Sequence, residues 1–151
     1  MRSLAALSWL MVLVVGACAP GDDNANGGLV GTAWTVASIG GTSTLAEAPP
    51  TMTFHEDGTV AGTDGCNQFN ARFKTDRERI SIIGLVTTKI GCDDERSAQA
   101  QAFAFALTGA TGWRQTEGGE LELSGAGTIV AVPVVGGGAG AGAGLSEAYG
   151  R

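Results

Sequence analysis

The sequence predicts a mainly β domain, with about seven to eight short strands in a compact antiparallel sheet that is strongly bent or forms an incomplete barrel, covered by one α-helix. Two observations support this fold class. Short runs in which apolar and polar residues alternate are separated by glycine-containing turns. The period becomes helical in one stretch only, after residue 93. One helix is therefore expected to lie against a sheet built from the other segments.

The strand predictions rest on the two-residue period of an extended chain. Phe69, Ala71 and Phe73 share one face by this period. Glu56-Asp57-Gly58 separates two such segments as a hairpin turn, and Gly84 indicates a bulge inside a longer one. The predicted strands are residues 31–39, 51–55, 59–64, 69–74, 80–89, 113–116, 120–124 and 128–134, with residues 42–50 as a loop and residues 75–78 as a charged turn.

Residues 94–108 are predicted to form the helix. Asp93 or Asp94 can cap its start, because a carboxylate accepts hydrogen bonds from the free N–H groups of the first turn. A glycine shortly after residue 108 can end it, whereas Phe105 points away from the apolar side and does not fit the pattern. The residues that share the apolar side at helical spacing are Phe103, Ala106, Leu107 and Ala110.

The first residues have the form of an export signal. Arg2 precedes a short apolar run, which is too short to span a membrane comfortably. The run ends in Val15-Gly16-Ala17-Cys18, which resembles the bacterial lipoprotein signal. That resemblance implies lipidation of the Cys18 thiol, cleavage after Ala17 and acylation of the new amino terminus. The alternative is an ordinary secretory signal in which the cysteine stands by chance.

These patterns divide the chain into four parts. The signal peptide is predicted at 1–17, a flexible tether at 18–28, the folded domain at 29–135 and a disordered Gly/Ala-rich tail at 136–151. The protein is expected to be exported and anchored by lipid to the cell envelope. If the cell has two membranes, Ala19 after the cysteine would fit the outer membrane, with the domain facing the periplasm.

The charge of the chain argues against a nucleic-acid partner. The formal net charge is −6, and removal of Arg2 with the signal makes it −7. The basic residues are scattered, and acidic residues interrupt the one local group, which lies in the turn region at 72–79. A solvated hairpin accounts for that group.

Cys66 and Cys92 are the two residues of the predicted domain whose side chains are most able to react. In an exported protein two cysteines are more often joined than free, so a structural disulfide is the preferred reading. Free buried thiols and a redox-active pair remain alternatives, although the chain has no C-x-x-C spacing. His55 is the one histidine and has no metal-ligand spacing to either cysteine. No cofactor, metal or catalytic set is therefore predicted.

Two polar residues of the glycine-rich corner have no assigned role. Asp64 and Asn67 flank Gly65-Cys66 and are possible binding residues. Side chains of these types at corners usually hydrogen-bond to their own backbone, which is the simpler interpretation.

Several parts of the predicted domain form an ordered set of motifs: Leu29 to Trp34, Phe54 to Phe69 with its Gly-Cys-Asn core, Thr87 to Cys92, Phe103, Leu107, Trp113 and Leu121 to Leu123. This set resembles the META domain, also called the HslJ-type domain, of bacterial envelope lipoproteins and heat-shock-associated proteins. The resemblance covers nearly the whole predicted domain and implies a barrel-like antiparallel sheet with a helix. It further implies an association with envelope stress, secretion or motility, without an established catalytic reaction.

The preferred function is therefore a non-enzymatic envelope domain that acts by binding or support. Its expected partners are the membrane, through the lipid, and an envelope protein of unknown identity. Two other functions stay open: a carrier of lipid or small hydrophobic ligands inside an open barrel, and a hydrolase or redox enzyme that uses the Cys66 corner.

Overall fold

The computed structural model describes residues 27–134. The predicted signal peptide, the lipidation site Cys18, most of the tether and the Gly/Ala-rich tail lie outside the described residues. Within residues 27–134, no helix has the length and apolar content that crossing a membrane requires.

The described chain contains nine strands and one α-helix, which confirms the predicted mainly β fold. The helix and strands follow a short 3-10 turn at Gly27–Leu29. Their bounds are β1 (Ala33–Ile39), β2 (Thr42–Ser43), β3 (Thr51–Phe54), β4 (Thr59–Thr63), β5 (Gln68–Asp76), β6 (Arg79–Thr87), α1 (Asp94–Thr108), β7 (Ala110–Gln115), β8 (Leu121–Gly125) and β9 (Ile129–Pro133).

Eight of the strands form an antiparallel barrel. From β3 to β9 each strand pairs with the next in the chain, and β1 pairs with both β3 and β9 to complete the circle. The ninth strand, β2, pairs only with the last two residues of β1. Residues 42–50 were predicted as a loop, and β2 corrects that prediction because a tight turn at Gly40-Gly41 folds the chain back onto β1.

The barrel has one weak seam, between β6 and β7. Their ladder contains a single residue pair, Arg79 with Gly112, whereas β5 and β6 pair along nearly their whole length. The helix α1 connects these two strands and packs against β6 and against β1, β8 and β9. The helix thus covers part of the barrel, as predicted for a bent sheet or incomplete barrel with one covering helix.

Buried side chains fill the interior. The rings of Phe54 and Phe73 meet edge to face at 4.9 Å, and those of Phe69 and Phe103 join β5 to α1 at 5.3 Å. Burial of such apolar surface is the main force that stabilises the domain. The side chains that are at most 1% exposed are Leu29, Val36, Met52, Phe54, Val60, Ala71, Phe103, Leu107, Leu121, Leu123, Ile129 and Ala131.

The β5–β6 hairpin follows the predicted alternation with one correction and one confirmed irregularity. The predicted turn at 75–78 is shorter, because Thr75 is buried within β5 and only Arg77 and Glu78 form the turn, with Arg77 at φ 56°. The register shifts by one residue across Gly84, which has φ 68°, so the predicted bulge is confirmed. The bulge places Val86 outside the barrel.

The helix begins and ends where the sequence predicted. Asp93 is its cap residue, and the Asp93 Oδ1 accepts a hydrogen bond from the Arg96 N–H at 2.9 Å. Gly109 ends the helix, and its N–H donates to Phe105 O at 3.0 Å. Phe105 itself is 64% exposed, as its place outside the apolar pattern predicted.

The two ends of the barrel carry different parts of the chain. Val134 N–H donates to Ala33 O at 2.9 Å and Gly31 N–H donates to Phe54 O at 2.7 Å, so the described chain enters and leaves at one end. The strand β4 starts at this end, because it follows the turn after Phe54. The junction of β4 and β5, which holds Cys66, therefore lies at the opposite end.

Candidate functional site: the Cys66 corner

Residues 63–68 join β4 to β5 and form the corner, whose turn is built by its own side chains. Asp64 Oδ1 accepts hydrogen bonds from the N–H groups of Cys66 at 2.8 Å and Asn67 at 2.5 Å. Thr63 Oγ1 donates to Asn67 O at 3.0 Å and accepts from Gly65 N–H at 3.1 Å. Asp64 is only 4% exposed, and these bonds explain why a carboxylate is tolerated there.

Position 65 requires glycine for two reasons: its backbone conformation and the lack of space for a side chain. Its φ of 93° lies in the left-handed region, which side-chain-bearing residues rarely adopt. A Cβ at this position would lie 2.4 Å from Gln99 Nε2 and 2.5 Å from Ala48 O. The corner can therefore approach the helix and the 44–50 loop only because residue 65 has no side chain.

The structure joins Cys66 and Cys92 in a disulfide, which confirms the preferred prediction. The two Cα atoms are 6.0 Å apart and the residues are 26 positions apart in the chain. Cys92 directly precedes the helix cap Asp93. The disulfide therefore ties the β4–β5 corner to the start of α1.

Asn67 reinforces the same connection. Its Oδ1 accepts hydrogen bonds from Ile90 N–H at 2.7 Å and from Thr88 Oγ1 at 3.1 Å. Its Nδ2 donates to Cys66 Sγ at 3.2 Å. The side chain thus holds the segment between β6 and the helix against the corner, and each of its polar atoms has a protein partner.

Gln99 is a structural part of this region that sequence reasoning missed. Its Oε1 accepts a hydrogen bond from Leu45 N–H at 2.7 Å, and its Nε2 donates to Ala48 O at 2.8 Å. One signal was present in the sequence: Gln99 lies one helical turn before the core residue Phe103, so it faces inward. A polar residue on the inward side of a helix requires hydrogen-bond partners.

Two surface grooves flank α1. The corner groove, of about 280 Å³, lies between the corner and one side of the helix, where Asn67, Ile90, Ala100 and Ala104 line it. The helix groove, of about 420 Å³, lies on the other side of α1 and is lined by residues that include Ile39, Leu45, Ala98 and Ala102. The lining of both grooves is mainly apolar or uncharged.

His55 and Asp57 lie at the turn between β3 and β4, apart from the corner. His55 is exposed at the β3–β4 turn, where its N–H donates to Thr59 O at 2.8 Å. Asp57 accepts hydrogen bonds from the Thr59 hydroxyl and N–H, and these bonds hold the pKa of its carboxyl below the usual value. Within residues 27–134, no group of three or more histidine, cysteine, aspartate or glutamate side chains could hold a metal ion.

Comparisons with known proteins agree with this fold. A family model described as the META domain matches residues 27–133. An NMR structure of a protein from Burkholderia xenovorans is similar with a TM-score of 0.59 and 21% identity, over 71% of this chain and 84% of the other. A second NMR structure has a TM-score of 0.56 and 19% identity, over 67% of this chain and 87% of the other.

A third similar structure is a crystal structure of a DUF4847 family protein from Bacteroides vulgatus. Its TM-score is 0.52 and its identity 14%, over 69% of this chain and 93% of the other. Sequence comparison with curated proteins finds no match. At these identities the similar structures establish the fold alone.

Proposed function

This chain belongs to the META domain family, and we propose that it is an exported, lipid-anchored and non-enzymatic domain that binds or supports another component of the cell envelope. The observation that carries the proposal is that the reactive and polar side chains of the corner are engaged in structural contacts. Cys66, Asp64 and Asn67 carry its most reactive or polar side chains, and each is engaged in holding the corner together or fastening it to the helix. A surface, rather than a reactive group, is then what the domain offers to a partner.

The non-enzymatic role is supported by what each candidate residue does. A thiol-dependent reaction needs a free thiolate, and Cys66 is bonded to Cys92. The Asp64 Oδ1 accepts two N–H groups of its own turn, and Asp93 caps the helix. These roles account for the corner without any reaction.

Export is supported by the disulfide. Disulfides form and persist in oxidising compartments such as the periplasm and are rare in the cytosol. An N-terminal segment with the form of an export signal, ending at Cys18, agrees with that environment.

The lipid anchor is supported by the motif around Cys18 and by the position of the domain's start. Eight residues lie between Cys18 and Gly27, and Gly27 begins the described chain at the barrel end opposite the Cys66 corner. A chain of that length spans roughly 17 Å on average. The anchor would therefore hold the domain close to the membrane with the corner and the helix start turned toward possible partners.

A carrier function with a ligand inside the barrel receives less support. Large side chains occupy the interior, among them Phe54, Met52 and Leu121, each 0% exposed. The two grooves beside α1 lie on the surface, so a hydrophobic ligand there would stay in contact with water. We therefore propose that the domain acts through its surface rather than through a ligand inside the barrel.

The test is the intact mass of the mature protein extracted from membranes without reductant, measured before and after reduction with thiol alkylation. We expect acyl mass on a chain that begins at Cys18, with two alkylation sites that appear only after reduction. The Cys18→Ser variant is the matched control and should lack the acyl mass while it keeps the disulfide. Crosslinking in intact cells should then join the anchored protein to a discrete envelope partner.

Other results of the same experiments would contradict the proposed function. An unmodified chain would overturn the lipid anchor, and free alkylation of Cys66 and Cys92 before reduction would overturn the structural disulfide and renew the case for a thiol enzyme. A co-purified hydrophobic ligand in native mass spectra would instead favour the carrier function.

A further inference from the structure

The disulfide between Cys66 and Cys92 can be reached from the surface of the domain. Both cysteines are only partly buried, and Cys66 lines the corner groove. A dissolved thiol can therefore approach the bond through this groove. The other wall of the groove is α1, whose first turn starts directly after Cys92.

Carboxylates lie on both sides of this bond. Residues 93–95 are all acidic, so three carboxylates directly follow Cys92 at the start of α1. Because a helix rises about 1.5 Å per residue, these residues lie within one helical turn of that cysteine. On the other side of the bond, Asp64 Oδ1 accepts a hydrogen bond from Cys66 N–H at 2.8 Å.

The cations beside the bond are too few to balance these carboxylates. Glu47 adds a fifth acidic residue, because it lies in the 44–50 loop against which the corner packs. The nearby basic residues are Arg96, which pairs with Asp93 at 3.4 Å, and Lys89, which precedes the helix start. Five carboxylates and two cations leave a net charge of −3 around the disulfide.

Reduction of the bond by a dithiol begins with an anion. A thiolate of the reductant attacks one sulfur, the S–S bond breaks, and the other cysteine leaves as a thiolate that takes up a proton from water. The second thiol of the reductant, after it loses its proton, displaces the remaining protein sulfur. The reductant thus leaves oxidised to a disulfide, and both cysteines are reduced. The surrounding carboxylates repel the attacking thiolate, because both carry negative charge.

We propose that the carboxylates around the Cys66–Cys92 bond select its reductant. The bond resists anionic thiols and opens to a dithiol reductase whose reactive cysteine lies in a positively charged surface. Such a surface is attracted by the carboxylates, which raises the rate at which its thiolate reaches the bond. The inference rests on the disulfide of the proposed function and not on the lipid anchor.

Opening of the bond changes how α1 is held. Asn67 still binds Ile90 N–H and the Thr88 hydroxyl, so the segment after β6 stays against the corner. The start of α1 loses its covalent link to the corner, because Cys92 directly precedes the helix cap. The two walls of the corner groove are then joined by non-covalent contacts only. A reductase that is admitted to the bond thereby controls the surface that the domain offers to a partner.

The test is the rate at which small dithiols of different charge reduce the full mature chain in an uncharged detergent. The attacking thiolate form is neutral overall for dithiobutylamine, singly anionic for dithiothreitol and doubly anionic for dihydrolipoate. Each rate is divided by the rate of the same dithiol with uncharged 2-hydroxyethyl disulfide, which removes differences in intrinsic reactivity. We expect the normalised rate to fall about 3-fold for each added negative charge at low salt. The differences should vanish at about 1 M salt, where charges are screened within roughly 3 Å.

The decisive variant is Asp94→Asn with Glu95→Gln, since neither side chain caps the helix. It should lower the ratio of the dithiobutylamine rate to the dithiothreitol rate to about 1.5, because one net negative charge remains. A looser helix start would speed both dithiols equally, so the ratio reports the charge alone. The matched control, Glu117→Gln with Glu120→Gln, removes two carboxylates from the β7–β8 turn at the opposite end of the barrel and should keep the ratio.

The results separate this inference from the proposed function. Alkylation of both cysteines before any reductant is added would overturn the disulfide, and with it both the inference and that part of the proposed function. An oxidised protein that all three dithiols reduce at equal normalised rates would overturn the selection by charge alone. The same holds if Asp94→Asn with Glu95→Gln keeps the ratio, or if the matched control lowers it as much.

Discussion

Asn67 Oδ1 accepts a hydrogen bond from Ile90 N–H at 2.7 Å, so an amide side chain of the β4–β5 corner holds the backbone just before Cys92. The disulfide and this hydrogen bond act on the same two segments, which hydrogen bonds of Thr88 with Asn67 and Gln68 also join. The corner therefore links the barrel to the start of α1.

The Asn67 contact can be tested separately from the disulfide. Asn67→Ala removes the acceptor for Ile90 N–H and for the Thr88 hydroxyl, and it should lower the free energy of unfolding by about 1 kcal/mol. The cost is modest because water can reach this region. Hydrogen exchange of the Ile90 amide should become faster.

Asn67→Asp is the matched control for that experiment. It keeps an oxygen acceptor toward Ile90 and Thr88, so Ile90 exchange should stay closer to the rate in the unchanged protein. Equal Ile90 exchange rates in the alanine variant and the unchanged protein would show that the hydrogen bond has no role in solution.

The disulfide should contribute more to the free energy of unfolding than the side-chain amide of Asn67. Cys66→Ser with Cys92→Ser should lower the free energy of unfolding by about 3–4 kcal/mol, because the closed loop of 26 residues restricts the unfolded chain. Urea unfolding measures this loss, and the unchanged protein in a reductant should lose a similar amount. A loss below about 1 kcal/mol would contradict a structural role for the bond.

Gly65 offers a test of the close approach between the corner and the helix. Gly65→Ala should be destabilising for two reasons, the φ of 93° and the collision with Gln99 and Ala48. Gly41→Ala is the matched control, since Gly41 has φ 82° but open space around its Cβ position. Chemical unfolding should show Gly65→Ala to be less stable than Gly41→Ala by about 1–3 kcal/mol, the usual cost of overpacking. Equal losses would mean that the collision relaxes freely.

The pair of Arg114 and Glu122 gives a prediction on pH. The two residues face each other across β7 and β8, with Arg114 Nη2 at 2.8 Å from Glu122 Oε2. The hydrogen bond and the charge of Arg114 lower the pKa of Glu122. Since the folded pKa lies below that of the unfolded chain, the contribution to stability is present above the unfolded pKa and is lost as the pH falls through the folded pKa.

Arg114→Gln tests this relationship. The pKa of Glu122, followed by NMR titration, should rise toward the usual value for glutamate, and the variant should lose less stability on acidification than the unchanged protein. An unchanged pKa of Glu122 in the variant would show that the pair is not formed in solution.

Much of the local structure could be predicted because its causes are local. The helix at Asp94–Thr108 follows from a capping aspartate, a helical apolar period and a terminal glycine, all of which lie within about 20 residues. The alternation of Phe69, Ala71 and Phe73 likewise determines which side of β5 is buried. The bulge at Gly84 could be predicted from the sequence for the same reason.

The prediction was less complete where partners are distant in the chain. The short strand β2 was read as part of a loop, since two residues are too few to show a period. Gln99 was missed as the residue that binds Leu45, 54 positions away. The role of Asn67 as a clamp on Ile90 also depends on a fold that brings the end of β6 beside the corner.

The sequence by itself determined the fold class and the helix, because periodicity and turn chemistry act without knowledge of distant neighbours, and it favoured the pairing of the two cysteines over free thiols. Only the tertiary structure decided that the barrel closes through β1 and β9 and that its seam lies at β6 and β7. These features depend on which remote segments meet, and that is set by the packing of the whole core rather than by any one segment.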